Sequence, residues 1–157
     1  MAESTMTLDD IRDRLSGQRS AMVTTVDEAG TLSSRPLAVQ QIDAGGDVWF
    51  IVNRRAEWVG PADGAPINVA IVDDGDTWAS FAGRASLIDD PEAIAELRNG
   101  KSSSRFDDDA QPVALLARTE QIEWWASRST VAQLVELGKA KLTGERPDLG
   151  GSGTIDI

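Results

Sequence analysis

The chain has 157 residues, 41% of them hydrophobic, with a formal net charge of −11 and no histidine, cysteine or tyrosine. This length suits one domain with its own core, and the charge argues against electrostatic binding to nucleic acid or to an anionic membrane. A Ser-His-Asp triad, a cysteine nucleophile and the common zinc sites are excluded, so carboxylates or a cofactor would have to carry any chemistry.

Targeting and metal-binding signals are not evident. No apolar run approaches the roughly 20 residues that span a bilayer, and residues 1–7 lack the basic flank and apolar stretch of a secretory signal. We therefore expect a cytoplasmic protein without disulfides. The acidic clusters at 73–76 and 107–109 do not have EF-hand spacing, and we interpret them as solvated turns and predict no metal site.

The first predicted element is a helix over residues 7–17. Thr7 and Asp10 have the spacing of a capping box. Leu8, Ile11 and Leu15 then recur on one helical face, and Gly17 follows as a stop signal.

A barrel of strands is predicted over residues 20–126. Runs of β-branched and alternating apolar residues are separated by short turns rich in Gly and Asp, as in consecutive antiparallel hairpins. The predicted strands are 21–26, 31–42, 47–53, 66–72, 77–88 and 113–125. Closing these strands would remove exposed sheet edges. We predict a mainly β protein with flanking helices, a six-stranded antiparallel split β-barrel, in a single domain over residues 1–157.

Helices and a tail complete the prediction. A helix at 90–99 is inserted in the barrel, with Asp90 as its cap and Pro91 at its first position. A second helix is predicted over 128–143, and residues 145–157, which include a Gly-Gly-Ser-Gly run, are expected to form a flexible tail. Gly83, inside a strand, predicts a bulge or a close backbone approach.

Arg35 is the most informative single residue. It lies in an alternating strand and shares a face with Leu37 and Val39, although Pro36 follows it directly. An inward guanidinium requires an anion. From the residues alone, the ordinary candidate for that anion is one of the many carboxylates of the chain.

Several short segments have a recognisable order and spacing: Met22–Asp27, Ser34–Leu37, Val48–Asn53, Phe81–Ala85, Leu115–Arg118, Ile122–Trp125 and Leu142–Gly144. Together they resemble the pyridoxamine 5'-phosphate oxidase-like FMN-binding split barrels, and within them the general stress protein branch. The resemblance implies a homodimer that binds FMN in two clefts at the subunit interface.

The resemblance also implies a set of cofactor-binding residues. Arg35 would contact the flavin phosphate, with Pro36 and Leu37 along the flavin. The full set of candidates is Arg35, Pro36, Leu37, Val52, Asn53, Arg54, Arg55, Trp58 and Trp124. Relatives have a serine, an arginine and a lysine at the phosphate, where this chain has Ala56, Glu57 and Trp58. This departure removes positive charge and adds a negative one.

Two functions stay open at this point. One is an FMN-binding flavoprotein, a possible flavin-dependent oxidoreductase with an unknown substrate and unassigned catalytic residues, for which a deazaflavin is the nearest alternative cofactor. The other is a non-catalytic split-barrel dimer that has weakened or lost flavin binding, or that binds another planar ligand. Trp124 and Trp125 lie on opposite sides of one strand, so one should be buried and the other near the cleft, while Trp49 and Trp78 are expected in the core or an interface.

Overall fold

The structure, a computed structural model, describes residues 6–73, 77–99, 111–127, 138, 141–142, 144 and 150–157. Strands dominate these residues. The helices are α1 Leu8–Leu15, α2 Val59–Ala62 and α3 Pro91–Asn99. The strands are β1 Ser20–Val26, β2 Leu32–Ala38, β3 Gln41–Ile42, β4 Val48–Asn53, β5 Pro66–Val72, β6 Thr77–Ile88, β7 Pro112–Ser127 and β8 Gly150–Asp156.

The N-terminal helix begins as its capping box predicts. The Thr7 hydroxyl accepts a hydrogen bond from the backbone N–H of Asp10, and the Asp10 carboxylate accepts one from the N–H of Thr7. The backbone hydrogen bond from Thr7, followed by the one from its side chain, lowers the pKa of Asp10. Ile11 and Leu15 are buried, so α1 contributes its apolar face to the barrel core.

The eight strands of the described residues form one antiparallel sheet. Seven of them follow the order β2-β1-β5-β6-β7-β4-β3, and β8 pairs with β7 beside this path. The long strand β7 pairs with β4 through its first half and with β8 through its second half. Strands β2 and β3 stand at opposite ends of this order, yet only Val39 and Gln40 separate them in the chain. The sheet must therefore curl until its two ends meet, which produces a split barrel rather than an open sheet.

The barrel core lies on the concave face of the sheet. In β1, Ala21, Val23 and Thr25 are buried while the residues between them face outward, as the period of two requires. Phe50 and Phe81 are the largest fully buried side chains. A smaller cluster on the other side of β4 and β7 packs beneath α3.

Gly83 marks the predicted irregularity in β6. The pairing register with β7 shifts between Ala82 and Gly83, and a Cβ atom on Gly83 would lie 1.8 Å from the carbonyl oxygen of Arg118. The predicted bulge and close backbone approach are confirmed.

The predicted fold class is confirmed, with two differences in the elements. The strand predicted over 31–42 breaks after Ala38 and resumes at Gln41, because its first part pairs with β1 and its second with β4. The prediction of a flexible tail is wrong for residues 150–156, which form β8. The helix predicted over 128–143 lies outside the described residues apart from isolated positions, so it stays a prediction.

Candidate functional site

The β1–β2 hairpin places Arg35 on the inner face of β2. In the register, Arg35 pairs with Val23 and Ser33 pairs with Thr25, whose side chains share the inward face. The Arg35 guanidinium donates from Nη1 to the Thr25 hydroxyl at 2.9 Å and from Nη2 to the Ser33 hydroxyl at 2.8 Å. These bonds use two of its five N–H donors and fix the direction of the guanidinium plane.

Trp58 covers one face of this guanidinium. The Arg35 Cζ atom lies 4.1 Å from the centroid of the Trp58 ring, well inside the distance at which a cation is attracted by an aromatic face. Trp58 precedes α2, and its half-buried ring also packs against the barrel core. The segment between β4 and α2 therefore folds back over the edge strand β2.

Arg35 has no acidic partner among the described residues. The ion pairs found there join Arg12 to Asp9 and Arg54 to Asp89. Desolvation by burial lowers the pKa of Arg35 from its ordinary value, although an arginine still keeps its charge at neutral pH. A half-buried cation that meets only neutral groups is a favourable place for an anion.

The structure brings two of the predicted site residues, Arg35 and Trp58, into direct contact. Leu37 shares their inward face and packs against the core, whereas Pro36 is exposed on the outer face. Val52 is buried in the core, and the Asn53 side-chain oxygen accepts a hydrogen bond from the N–H of Arg55. The hydrogen bond between Asn53 and Arg55 shapes the start of the segment that leads to Trp58.

Other predicted residues point elsewhere. Arg54 Nη2 lies 2.6 Å from Oδ1 of Asp89, which follows β6. The exposed Arg55 has neither an ion pair nor a side-chain hydrogen bond in the part of the chain that the structure describes. Trp124 is buried in the core, and a Cβ atom on Gly153 would lie only 2.8 Å from its indole. Its neighbour Trp125 is the exposed member of the pair.

Thr25 and Ser33 were not among the predicted site residues. The spacing along the hairpin could have indicated them. Thr25 lies two residues before the turn at Asp27, and Ser33 lies two residues before Arg35. Once the pairing of Val26 with Leu32 is known, alternation places all three side chains on one face. The sequence leaves this register ambiguous because it does not fix the length of the turn.

Two surface cavities are separate from this group. One, of about 430 Å³, lies beside α3 and is lined by Asp89, Ile94 and Arg98 among others. The other, of about 690 Å³, lies between the end of α1 and residues 39–42. Gln40 lines it, and both polar atoms of the Gln40 amide are buried without a hydrogen-bond partner in the described structure. Neither cavity is lined by Arg35 or Trp58.

The described residues show neither a metal-ligand cluster nor a membrane-spanning helix. They contain no group of three or more acidic side chains that could hold a metal ion. No helix among them has the length and apolar character needed to cross a membrane.

Comparison with known proteins gives a consistent result. The family model described as "Pyridoxamine 5'-phosphate oxidase like" matches residues 6–148. A general stress protein 26 from Jannaschia sp. CCS1 has a similar structure, with a TM-score of 0.67 and 26% identity over 92% of this chain and 94% of that one. A search of curated proteins found no significant match.

Two further solved structures share the fold at lower identity. One is a pyridoxamine 5'-phosphate oxidase-related, FMN-binding protein from Nostoc punctiforme PCC 73102, with a TM-score of 0.56 and 12% identity over 100% of this chain and 99% of that one. The other is an FAD-binding protein from Mycobacterium smegmatis, with a TM-score of 0.59 and 16% identity over 76% of this chain and 94% of that one.

Proposed function

The chain belongs to the pyridoxamine 5'-phosphate oxidase-like family, and from that premise we propose that it binds a flavin, FMN or a close relative, through Arg35. One observation carries the proposal. The Arg35 guanidinium is half-buried, meets two hydroxyls and an indole, and has no carboxylate partner among the described residues. A phosphate group on the ligand would supply the missing negative charge.

The residues around Arg35 fit an oxyanion. The hydroxyls of Thr25 and Ser33 accept hydrogen bonds from the guanidinium, so each keeps its own proton available for donation to a ligand oxygen. Trp58 holds the guanidinium plane by stacking, which leaves the edge of the fork, with its remaining N–H groups, for bidentate contact. This group, Thr25, Ser33, Arg35 and Trp58, is the proposed anion site.

A redox role with an unidentified substrate follows from the cofactor. A bound flavin supplies the electron chemistry, and the protein supplies orientation and electrostatics. The chain has no histidine, cysteine or tyrosine, and the contribution that we propose for it is to hold the ligand at Arg35. The FMN-binding and FAD-binding proteins that share the fold support a flavin as the ligand.

We further propose that the chain forms a homodimer through its outer face. This face consists of the outward-pointing residues of β1, β2 and β5, together with those within 78–82 of β6 and 121–125 of β7. Met22, Val72, Trp78 and Trp125 are exposed on this face, and Glu123 is the one charged residue among its described positions. Depletion of charge together with exposed Trp and Met is typical of the centre of an interface. A nearly uncharged face can meet a copy of itself, whereas other surfaces of two chains of charge −11 repel.

A second candidate is a non-catalytic split barrel with weak flavin affinity. The observation in its favour is that Arg54 is paired with Asp89 and that a neutral ring, Trp58, covers Arg35. In this case the proposed anion site would hold another planar anion, or a flavin only at high concentration.

The absorption spectrum of the purified protein separates these candidates. We expect a flavin spectrum, with a flavin released on denaturation, or its appearance after incubation with FMN. A colourless protein that takes up neither FMN nor a deazaflavin would contradict the flavin proposal and favour the second candidate.

A further inference from the structure

The charge balance at Arg35 indicates which ionic form of a ligand the site accepts. This inference rests on the proposed function, because it concerns the ligand of the same site. In the described structure, Arg35 contacts Thr25, Ser33 and Trp58 and is the only cation in this group of four residues. The other three members are neutral.

The neighbouring charged residues do not provide a second positive charge to this group. Arg54 is occupied by Asp89, while Arg55 and Glu57 are both exposed and offset each other in sign. At the turn between β1 and β2, the Asp27 carboxylate accepts hydrogen bonds from the N–H groups of Ala29 and Thr31.

Two more acidic residues lie on neighbouring segments of the chain. Glu28 is exposed in the same turn, and Asp63, at the end of α2, accepts a hydrogen bond from the N–H of Leu87. A basic residue accompanies Asp63, because the Arg84 guanidinium donates a hydrogen bond to the carbonyl oxygen of Gly64. Among the described residues, Arg35 is thus the one cation that contacts the group.

From this balance we infer that the site is matched to a singly charged oxyanion, such as a phosphodiester or a carboxylate, rather than to the dianion of a phosphate monoester. A monoester carries a charge of about −1.5 to −2 at neutral pH, with a second pKa near 6. One guanidinium neutralises one negative charge. The second charge would lie uncompensated beside a neutral indole in a partly desolvated site, which is unfavourable.

Trp58 is the specificity-determining residue in this account. A lysine at its position would supply a second cation beside Arg35, and the indole supplies only stacking. Trp58 therefore keeps the guanidinium oriented and limits the positive charge of the site to one unit.

The test uses three flavins that differ at the ribityl end. Riboflavin is neutral there, riboflavin 4',5'-cyclic phosphate carries one negative charge, and FMN carries up to two. Each is titrated into the unmodified protein from pH 7.5 to pH 5.5 while flavin fluorescence is followed. The chain has no histidine, so no ordinary side chain titrates near pH 6, and a change there reports on the FMN phosphate.

We expect the cyclic phosphate to bind more tightly than FMN at pH 7.5. As the pH falls to 5.5, FMN should gain about tenfold in affinity as it becomes a monoanion, while the cyclic phosphate and riboflavin change less than about twofold. FMN that binds more tightly than the cyclic phosphate at pH 7.5, and weakens on acidification, would overturn the inference. Absence of binding by all three ligands would instead overturn the proposed function.

A variant provides a second arm. Trp58→Lys should reverse the preference, so that FMN binds more tightly than the cyclic phosphate at pH 7.5. Gln41→Lys, at an exposed position of β3 where the backbone pairs with Trp49 of β4, adds the same charge on another strand and should leave the preference unchanged. A Trp58→Lys protein that folds but keeps the original preference would contradict the role of Trp58; the titration of the unmodified protein tests the inference without any substitution.

Discussion

At the scale of single residues, two arginines of the chain show opposite environments. Arg54 meets the carboxylate of Asp89 directly, as surface arginines in an acidic protein usually can. Arg35 is held by hydroxyls and an indole instead, and burial lowers its pKa. The folded protein thus carries an electrostatic cost at Arg35, and binding of an anion would offset that cost.

Thr25 provides a residue-scale test of this arrangement. Thr25→Val keeps a β-branched side chain in β1 but removes the hydroxyl that accepts from Arg35 Nη1. Because this hydrogen bond orients the guanidinium, its loss should weaken FMN binding by about three- to tenfold, the effect of one ordinary hydrogen bond, measured by fluorescence titration. Thr24→Val is the matched control, because the Thr24 hydroxyl pairs with Ser34 on the outer face. Equal effects of both substitutions would contradict a specific role for Thr25.

At the scale of secondary-structure elements, β8 is held by close packing of glycines against a tryptophan. A Cβ atom on Gly153 would meet the Trp124 indole at 2.8 Å, whereas one on Gly151 would make ordinary contact at 3.6 Å. The buried indole has little room to move, since it lies in the barrel core. The glycine-rich sequence therefore allows β8 to pair with β7 directly over Trp124.

Substitution of these two glycines tests the packing. Gly153→Ala should reduce the free energy of unfolding by about 1–3 kcal/mol through overpacking, measured by urea denaturation followed by tryptophan fluorescence. Gly151→Ala is the control, with an expected change below about 0.5 kcal/mol. If both alanine variants unfold at the same urea concentration as the unmodified protein, β8 does not pack on Trp124 as described.

Prediction from sequence succeeds for most elements of this fold and fails for β8. Alternation and turn residues located the strands, the caps located α1 and α3, and Gly83 located the bulge, because these signals are local. The Gly-rich segment of β8 has a loop-like composition, and its pairing depends on a partner strand distant in sequence. The contact between Arg35 and Trp58 likewise requires the segment after β4 to return to β2. Alternation along β2 predicts that Arg35 points inward, but it does not predict which residue packs against it.

At the scale of the whole molecule, the proposed dimer accounts for the exposed tryptophans. Trp78 and Trp125 are 40% and 45% exposed and are direct neighbours across β6 and β7. Val72 lies beside Trp78 on β5 and is 45% exposed. A contiguous aromatic and aliphatic row on a nearly uncharged face is unusual for a monomer of this net charge.

A charge placed in this row should prevent association. We expect the unmodified protein to be a dimer at micromolar concentration and Trp125→Lys to be largely monomeric, because a lysine at the centre of the interface would be desolvated without a partner. Light scattering coupled to size-exclusion chromatography measures both. Ala44→Lys, in the exposed turn after β3, is the control and should stay dimeric; an unmodified protein that is monomeric would contradict the proposed dimer.

If Arg35 holds the anionic group of a flavin, as we propose, a paired titration should show it. FMN and riboflavin differ only in the phosphate, so both are titrated into the unmodified protein and into Arg35→Ala. We expect Arg35→Ala to weaken FMN binding by about thirtyfold or more, equivalent to about 2 kcal/mol, and to leave riboflavin binding within about twofold of the unmodified protein. Equal FMN affinity in the two proteins, or an equal loss for both ligands, would contradict the claim.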